Sequence, residues 1–108
     1  MDELQQRARE MEKERSLTFL TEDEYWSLPH YGRWLLDWMA RWRPKEIKRL
    51  KEEGTLKEYL TQAGEDIGMF LGDNYHTLGM SGGLEVMRDV YFGEPEQDAD
   101  RYWGIPED

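Results

Sequence analysis

Hydrophobic positions along this chain recur at helical rather than strand spacing, and they concentrate in its middle. Projected at about 100° per residue, Tyr31, Trp34, Leu35, Trp38, Met39 and Trp42 share one arc of about 140°. Arg33, Asp37 and Arg41 lie on the other side, four residues apart, so that each arginine can pair with the aspartate. The clearest period belongs to Leu56, Tyr59, Leu60, Ala63, Ile67, Phe70 and Leu71. Leu84, Met87 and Tyr91 form another stripe with Val86 and Val90 opposite; this is either a helix buried on two sides or a strand, and we read it as helix.

Local signals mark where these helices start and stop. Thr21 followed by Glu24 is a capping box, Pro29 suits the first turn of the tryptophan helix, and Thr55 with Glu58 repeats the capping box. Pro44 disfavours helical geometry at Arg43 and can itself open a helix, PKEIKRLKEE, for which Gly54 is a C-terminal cap. Gly64, Gly68 and Gly72, four apart, offer a close approach to a neighbouring helix or loop, at about 1 kcal/mol of helix propensity each. DNYHTLGMSGG, residues 73–83, reads as turns.

The expectation is an all-α fold, a small bundle of about four main helices. Residues 1–20 form a polar helical arm whose thin seam is Leu4, Ala8 and Met11, residues 21–92 form the helical core domain, and residues 93–108 form a mobile acidic tail with one apolar cluster at residues 102–105. The expected core contains Trp34, Leu35, Trp38, Trp42, Leu56, Leu60, Ile67, Phe70 and Leu84.

Composition narrows the picture. At 108 residues the chain fits one domain, and with no cysteine it has neither disulfides nor thiolate metal ligands. The charged opening residues contain no apolar signal segment, and no run approaches the ~18 apolar residues of a membrane span. The expected setting is soluble and cytoplasmic. The net charge of -10 is unevenly spread: residues 1–28 carry 4 basic and 8 acidic groups, residues 29–51 carry 7 and 2, and residues 52–108 carry 3 and 14. A basic middle lies between acidic ends.

Catalytic motifs are missing. His30 and His76 stand outside any triad or zinc spacing, and no Gly-rich loop is followed by a phosphate-binding lysine, so neither an enzyme nor a cofactor is expected. Asp98, Asp100 and Tyr102 resemble the start of a calcium loop, but Trp103 occupies the glycine position, and a solvated acidic tail is the better reading. Lys45, Lys48, Arg49 and Lys51 offer a short basic helix to phosphates, against the repulsion of the acidic remainder. The tryptophans, separated from the arginines by the helical projection, are assigned to the core rather than to a stacking platform.

Several short motifs are familiar together: Leu28 with Pro29, Tyr31-Gly32-Arg33, Arg43 with Pro44, Gly54-Thr55-Leu56, and Tyr59 with Leu60. In these motifs and in the intervals between Gly32, Pro44 and Gly54, residues 28–60 resemble the TnpV family of small transposon-encoded proteins. The resemblance implies a mobile-element setting and supplies no catalytic residues.

Together these readings favour a non-enzymatic protein that inhibits or modulates a basic, nucleic-acid-processing partner, in the manner of DNA-mimic or anti-CRISPR proteins. Its acidic contacts are expected among Glu65, Asp66, Asp73, Glu94, Glu96, Asp98 and Asp100. The alternatives are a transposon accessory protein that binds nucleic acid through the basic helix, and a helical homodimer or adaptor.

Overall fold

The computed structural model describes residues 13–104, and no strand occurs among them. Residues 13–17 are helical and are followed by α1 (Glu22–Ser27), α2 (His30–Trp42), α3 (Pro44–Glu53), α4 (Leu56–Asp73), α5 (Tyr75–Phe92) and the single turn α6 (Ala99–Tyr102). The fold is a small all-α bundle in which α2, α3, α4 and α5 are the main helices. The expected seam at Leu4, Ala8 and Met11 lies outside the described residues.

Most boundaries agree with the local signals. The Thr21 hydroxyl accepts from the Glu24 amide at 3.2 Å while the Glu24 carboxylate accepts from the Thr21 amide at 3.1 Å. This holds the Glu24 carboxyl below its usual range, because the ionised form accepts the Thr21 backbone N–H. Gly54, at φ 77°, ends α3 in the left-handed conformation, and the Thr55 amide reaches back to the Leu50 carbonyl at 3.0 Å. That return bond alters the start of α4. Thr55 does begin the helix, but its hydroxyl donates to the Leu50 carbonyl at 3.4 Å, and the expected capping box with Glu58 does not form.

The turn-rich reading of residues 73–83 is corrected. Asp73 ends α4, Asn74 alone is a turn, and α5 covers Tyr75 onward with one non-helical residue at Gly79 (φ 70°, ψ 179°), a conformation that suits glycine. Helix is also the outcome for Leu84, Met87 and Tyr91, but only one side is covered: Met87 is 7 % exposed whereas Val90 is 65 % exposed.

α2 is the axle of the molecule. Its fully enclosed positions are Gly32, Leu35, Leu36, Met39 and Ala40, and His30 alone among its residues is exposed. The buried arc is therefore rotated by about one residue's step, roughly 100°, from the tryptophan-centred arc read from the sequence. The cause is the crossing with α4. A Cβ on Gly64 would lie 2.6 Å from the Gly32 nitrogen, and one on Gly32 would lie 2.7 Å from the Leu60 carbonyl oxygen. Only small residues permit that approach, and the large indoles are pushed to the flanks of the contact.

Leu35, Leu56, Leu60 and Ile67 are buried as expected, while Trp34, Trp38, Trp42, Phe70 and Leu84 are half-buried. Trp34 and Trp38 pack on the main core, and Trp34 also reaches a second cluster of Ile67, Leu71 and Met87 between α4 and α5. Trp38 packs on Phe92 at 5.1 Å and on Trp42 at 5.7 Å between ring centroids. The indoles therefore help build the fold and are not a row of free stacking surfaces.

The two ends of the described residues join this core. Ser16, Phe19 and Leu20, placed in a polar arm by the sequence, are buried. The tail, expected to be mobile, is docked over its described part: Ala99 is buried, the Trp103 indole donates to the Ala40 carbonyl at 2.8 Å, and Phe19 meets the Trp103 ring edge-on at 6.0 Å.

Candidate protein-binding face

The polar row of α2 is tied to the elements around it. Arg33 donates to the Leu28 carbonyl at 2.7 Å, closing the end of α1. Asp37 accepts from the Ser16 hydroxyl at 2.5 Å and from the Tyr25 hydroxyl at 3.0 Å. Arg41 pairs with Asp100 at 2.6 Å. Three ties to three peripheral elements thus run from the Arg33-Asp37-Arg41 row. Enclosing α2 took its charged groups out of water, and each was met by an acceptor or donor from the element that covered it.

The same chemistry removes most of the tail from the set of partner-binding acids. Asp100 is held by Arg41, and Asp98 pairs with Lys45, whose hydrogen bond lowers the Asp98 carboxyl below its usual range. Glu96 accepts the backbone amides of Lys45 at 3.1 Å and Glu46 at 3.2 Å. It caps the N-terminus of α3, where Arg43 supplies no side-chain cap, and sits at the positive end of the helix dipole. Glu96, Asp98 and Asp100 therefore serve the fold.

The basic helix is depleted in turn. Lys45 is taken by Asp98, and Arg49 is paired with Glu46 and, at 2.7 Å, with Glu53. Both carboxylates raise the Arg49 pKa, and Arg49 in turn lowers the Glu46 carboxyl. Of the four cations proposed for phosphate contact, Lys48 and Lys51 are exposed without an ion pair among the described residues.

What stays uncommitted lies on α4 and α5. Glu65 and Asp73 project from the outward row of α4, and Glu94 lies just past the end of α5; all three are exposed and make no ion pair among the described residues. Asp66, also exposed, accepts from Gln62 at 3.1 Å and from the Tyr91 hydroxyl at 3.2 Å. The Tyr91 pKa is raised by burial first and then by this carboxylate. The Tyr91–Asp66 bond spans the seam between the two helices, so their outward faces adjoin. Glu85 and Asp89 extend the acidic set on α5, residues that carry no motif in the sequence. Residues 61–94 contain these six acids and one base, Arg88.

Apolar side chains are exposed in the same region. Met69 is 68 % exposed on α4, and Val86 and Val90, one turn apart on α5, sit directly after Glu85 and Asp89. Of the eight large apolar residues left exposed in the described chain, six fall between residues 69 and 90, which makes this half of the molecule the one with apolar surface to cover. From the sequence, Val86 and Val90 pointed to a helix buried on two sides or to a strand; both are exposed on a helix covered on one side. His30 and His76 are both exposed, each edge-on to the neighbouring tyrosine.

Comparison with family models, with curated proteins and with solved structures gives no match to this chain. The residues that carry the motif resemblance have structural duties here. Leu28, Leu56 and Leu60 are buried, Gly32 forms the α2/α4 crossing, Arg33 closes α1, Arg43 donates to the Phe92 carbonyl at 2.6 Å, Pro44 opens α3, and Gly54 ends it. No described helix is long and apolar enough to cross a membrane.

Proposed function

We propose that this chain is a non-enzymatic protein-binding module that docks a basic partner on the outward face of α4 and α5. One observation carries the reading: Met69, Val86 and Val90 are exposed among Glu65, Asp66, Asp73, Glu85 and Asp89, while Glu96, Asp98 and Asp100 of the tail are engaged within the fold. An apolar centre with an acidic surround suits a partner surface that is itself apolar and cationic. A groove built to attract phosphates has that character, and so the partner class is a nucleic-acid-processing protein, inhibited or modulated by occupation of its groove. The motif resemblance supports placing this activity in the cytoplasm of a cell that carries a mobile element.

Direct binding of nucleic acid is the weaker reading, because Lys45 and Arg49 already face carboxylates. A homodimer through the same face would bring like acidic groups together, since a two-fold interface sets a patch against itself.

The test compares the parent with a Glu65→Lys/Asp89→Lys double variant as bait in host extract. A basic protein should be retained by the parent alone and released at least about tenfold as salt rises from ~0.05 M to ~0.5 M. Equal retention by both baits, or retention indifferent to salt, overturns the proposal.

A further inference from the structure

The segment that leads into α1 does not close against the corner where α3 meets α4. A groove of about 380 Å³ is left there, with residues 17–21 and Glu24 on one side and Lys51, Gly54, Leu56 and Lys57 on the other. Its base is apolar, because Leu17 is half-buried beside the buried Phe19, Leu20 and Leu56. Its rim is open: Thr18, Thr21, Lys51, Gly54 and Lys57 are exposed, and a Cβ on Gly54 would meet nothing within 4 Å.

Two cations stand on this rim without a salt bridge. Lys51 and Lys57 make no ion pair among the described residues, whereas Lys13 is met by Glu22, Arg41 by Asp100, Lys45 by Asp98 and Arg49 by Glu46 and Glu53. The one carboxylate in the lining, Glu24, is committed to the start of α1, where it accepts the Thr21 amide at 3.1 Å and the Thr21 hydroxyl at 2.9 Å. These bonds lower the Glu24 carboxyl most, and Lys57 and Lys51 lower it further, so the fields of both lysines converge beside it.

An apolar base under two converging cations is complementary to a carboxylate carried next to an apolar side chain. Extended polyphosphate suits it poorly, since the exposed Glu52, Glu53 and Glu58 adjoin the two lysines in the chain and repel a long polyanion. The volume falls within the ~300–1,000 Å³ range of ligand sites, and the open rim lets a segment of chain enter and leave.

We propose that this groove docks a short acidic peptide segment of a second protein, with an apolar side chain seated beside Leu17 and flanking carboxylates on Lys51 and Lys57. The acidic docking face starts at Glu65, about 12 Å further along the α4 axis than Lys57. The chain thereby offers separate sites to two partners of opposite charge. Binding in the groove needs no occupant on the acidic face.

The probe is a short peptide with both ends blocked, in which one leucine lies between two pairs of aspartates. It is titrated into the full chain, and binding is read from the backbone amide signals of Gly54 and Lys57 in nitrogen-proton correlation spectra. The expected result is a saturable shift of both signals, weakened at least about tenfold when ~0.5 M salt is added. Replacing the aspartates by asparagines should weaken binding at least about tenfold, the scale of two lost charge-assisted contacts, and replacing the leucine by serine should weaken it several-fold. These peptide substitutions test the groove on an unaltered chain. Lys51→Gln/Lys57→Gln, a pair of exposed substitutions, should weaken the acidic peptide about tenfold, whereas Lys48→Gln, exposed on α3 outside the groove, should leave it unchanged. An asparagine peptide that binds like the acidic one, a double variant that binds like the parent, or signals that the peptide leaves unmoved overturn the proposal. Inorganic phosphate or a short single-stranded oligonucleotide that moves both signals as strongly as the peptide makes the groove a general anion site and overturns it as well.

Discussion

Gly32 and Gly64 meet where α2 crosses α4, and at that point one methyl group decides the distance between two helices. On Gly64 it would be 2.6 Å from the Gly32 nitrogen and 2.9 Å from its Cα, whereas on Gly72 it would meet nothing within 4 Å. Gly64→Ala should therefore destabilise the protein by about 2–3 kcal/mol, because backbone must move to admit the atom. Gly72→Ala should be neutral or stabilising by up to about 1 kcal/mol from helix propensity. Urea unfolding of both variants measures the contrast, and equal effects would refute the crossing geometry. The sequence offered Gly64, Gly68 and Gly72 as equals, since their spacing is the same. What separates them is the position of Gly32, a residue of another helix. Gly68 is intermediate, with its nearest neighbour the Tyr31 ring at 3.6 Å.

At the scale of elements, polar groups fasten the described part of the tail to the middle of the chain. The tail reaches α2 and α3 through Asp100, Asp98, the Glu96 cap and the Trp103 indole. Glu96→Ala should cost about 1 kcal/mol, the usual loss of an N-cap, in the same urea assay. Acid should loosen the tail as well. The Asp98 carboxyl is lowered in the fold by its bond to Lys45. Its contribution is therefore complete above the ordinary aspartate value of about 3.9 and disappears as the pH falls through the lowered folded value. Hydrogen exchange at the Trp103 indole should accelerate over that range; exchange that stays constant would show that Asp98 does not hold the tail. The helix under these contacts was legible in outline. Pro44 and Gly54 mark α3 by backbone geometry alone, and the period of residues 56–71 marks α4. The face of α2 was misjudged because hydrophobicity ranks tryptophan with leucine at the core, while a close crossing admits only the smaller residues.

For the whole molecule, the basic middle and the acidic end are better described as partners than as rival docking surfaces. Asp98 and Asp100 cover Lys45 and Arg41, and Glu46 and Glu53 cover Arg49. The parent should accordingly leave a short single-stranded oligonucleotide unshifted at low salt. An Asp98→Asn/Asp100→Asn double variant, which keeps the size of both side chains, should bind it weakly and with strong salt dependence. A parent that shifts the oligonucleotide as well as the variant does would return the basic helix to the leading position.

The sequence by itself determined the all-α class, most helix boundaries and the apolar residues at Leu35, Leu56, Leu60 and Ile67, because capping, proline and glycine geometry and the 3.6-residue period act within about one turn of chain. Only the tertiary structure decided which arc of α2 is enclosed and which acids remain for a partner. Those outcomes rest on contacts between residues far apart in the chain, such as Arg41 with Asp100, Lys45 with Asp98 and Gly32 with Gly64. A charge in the sequence carries its sign but not its partner, and the partner determines whether that charge holds the fold together or is left for another molecule.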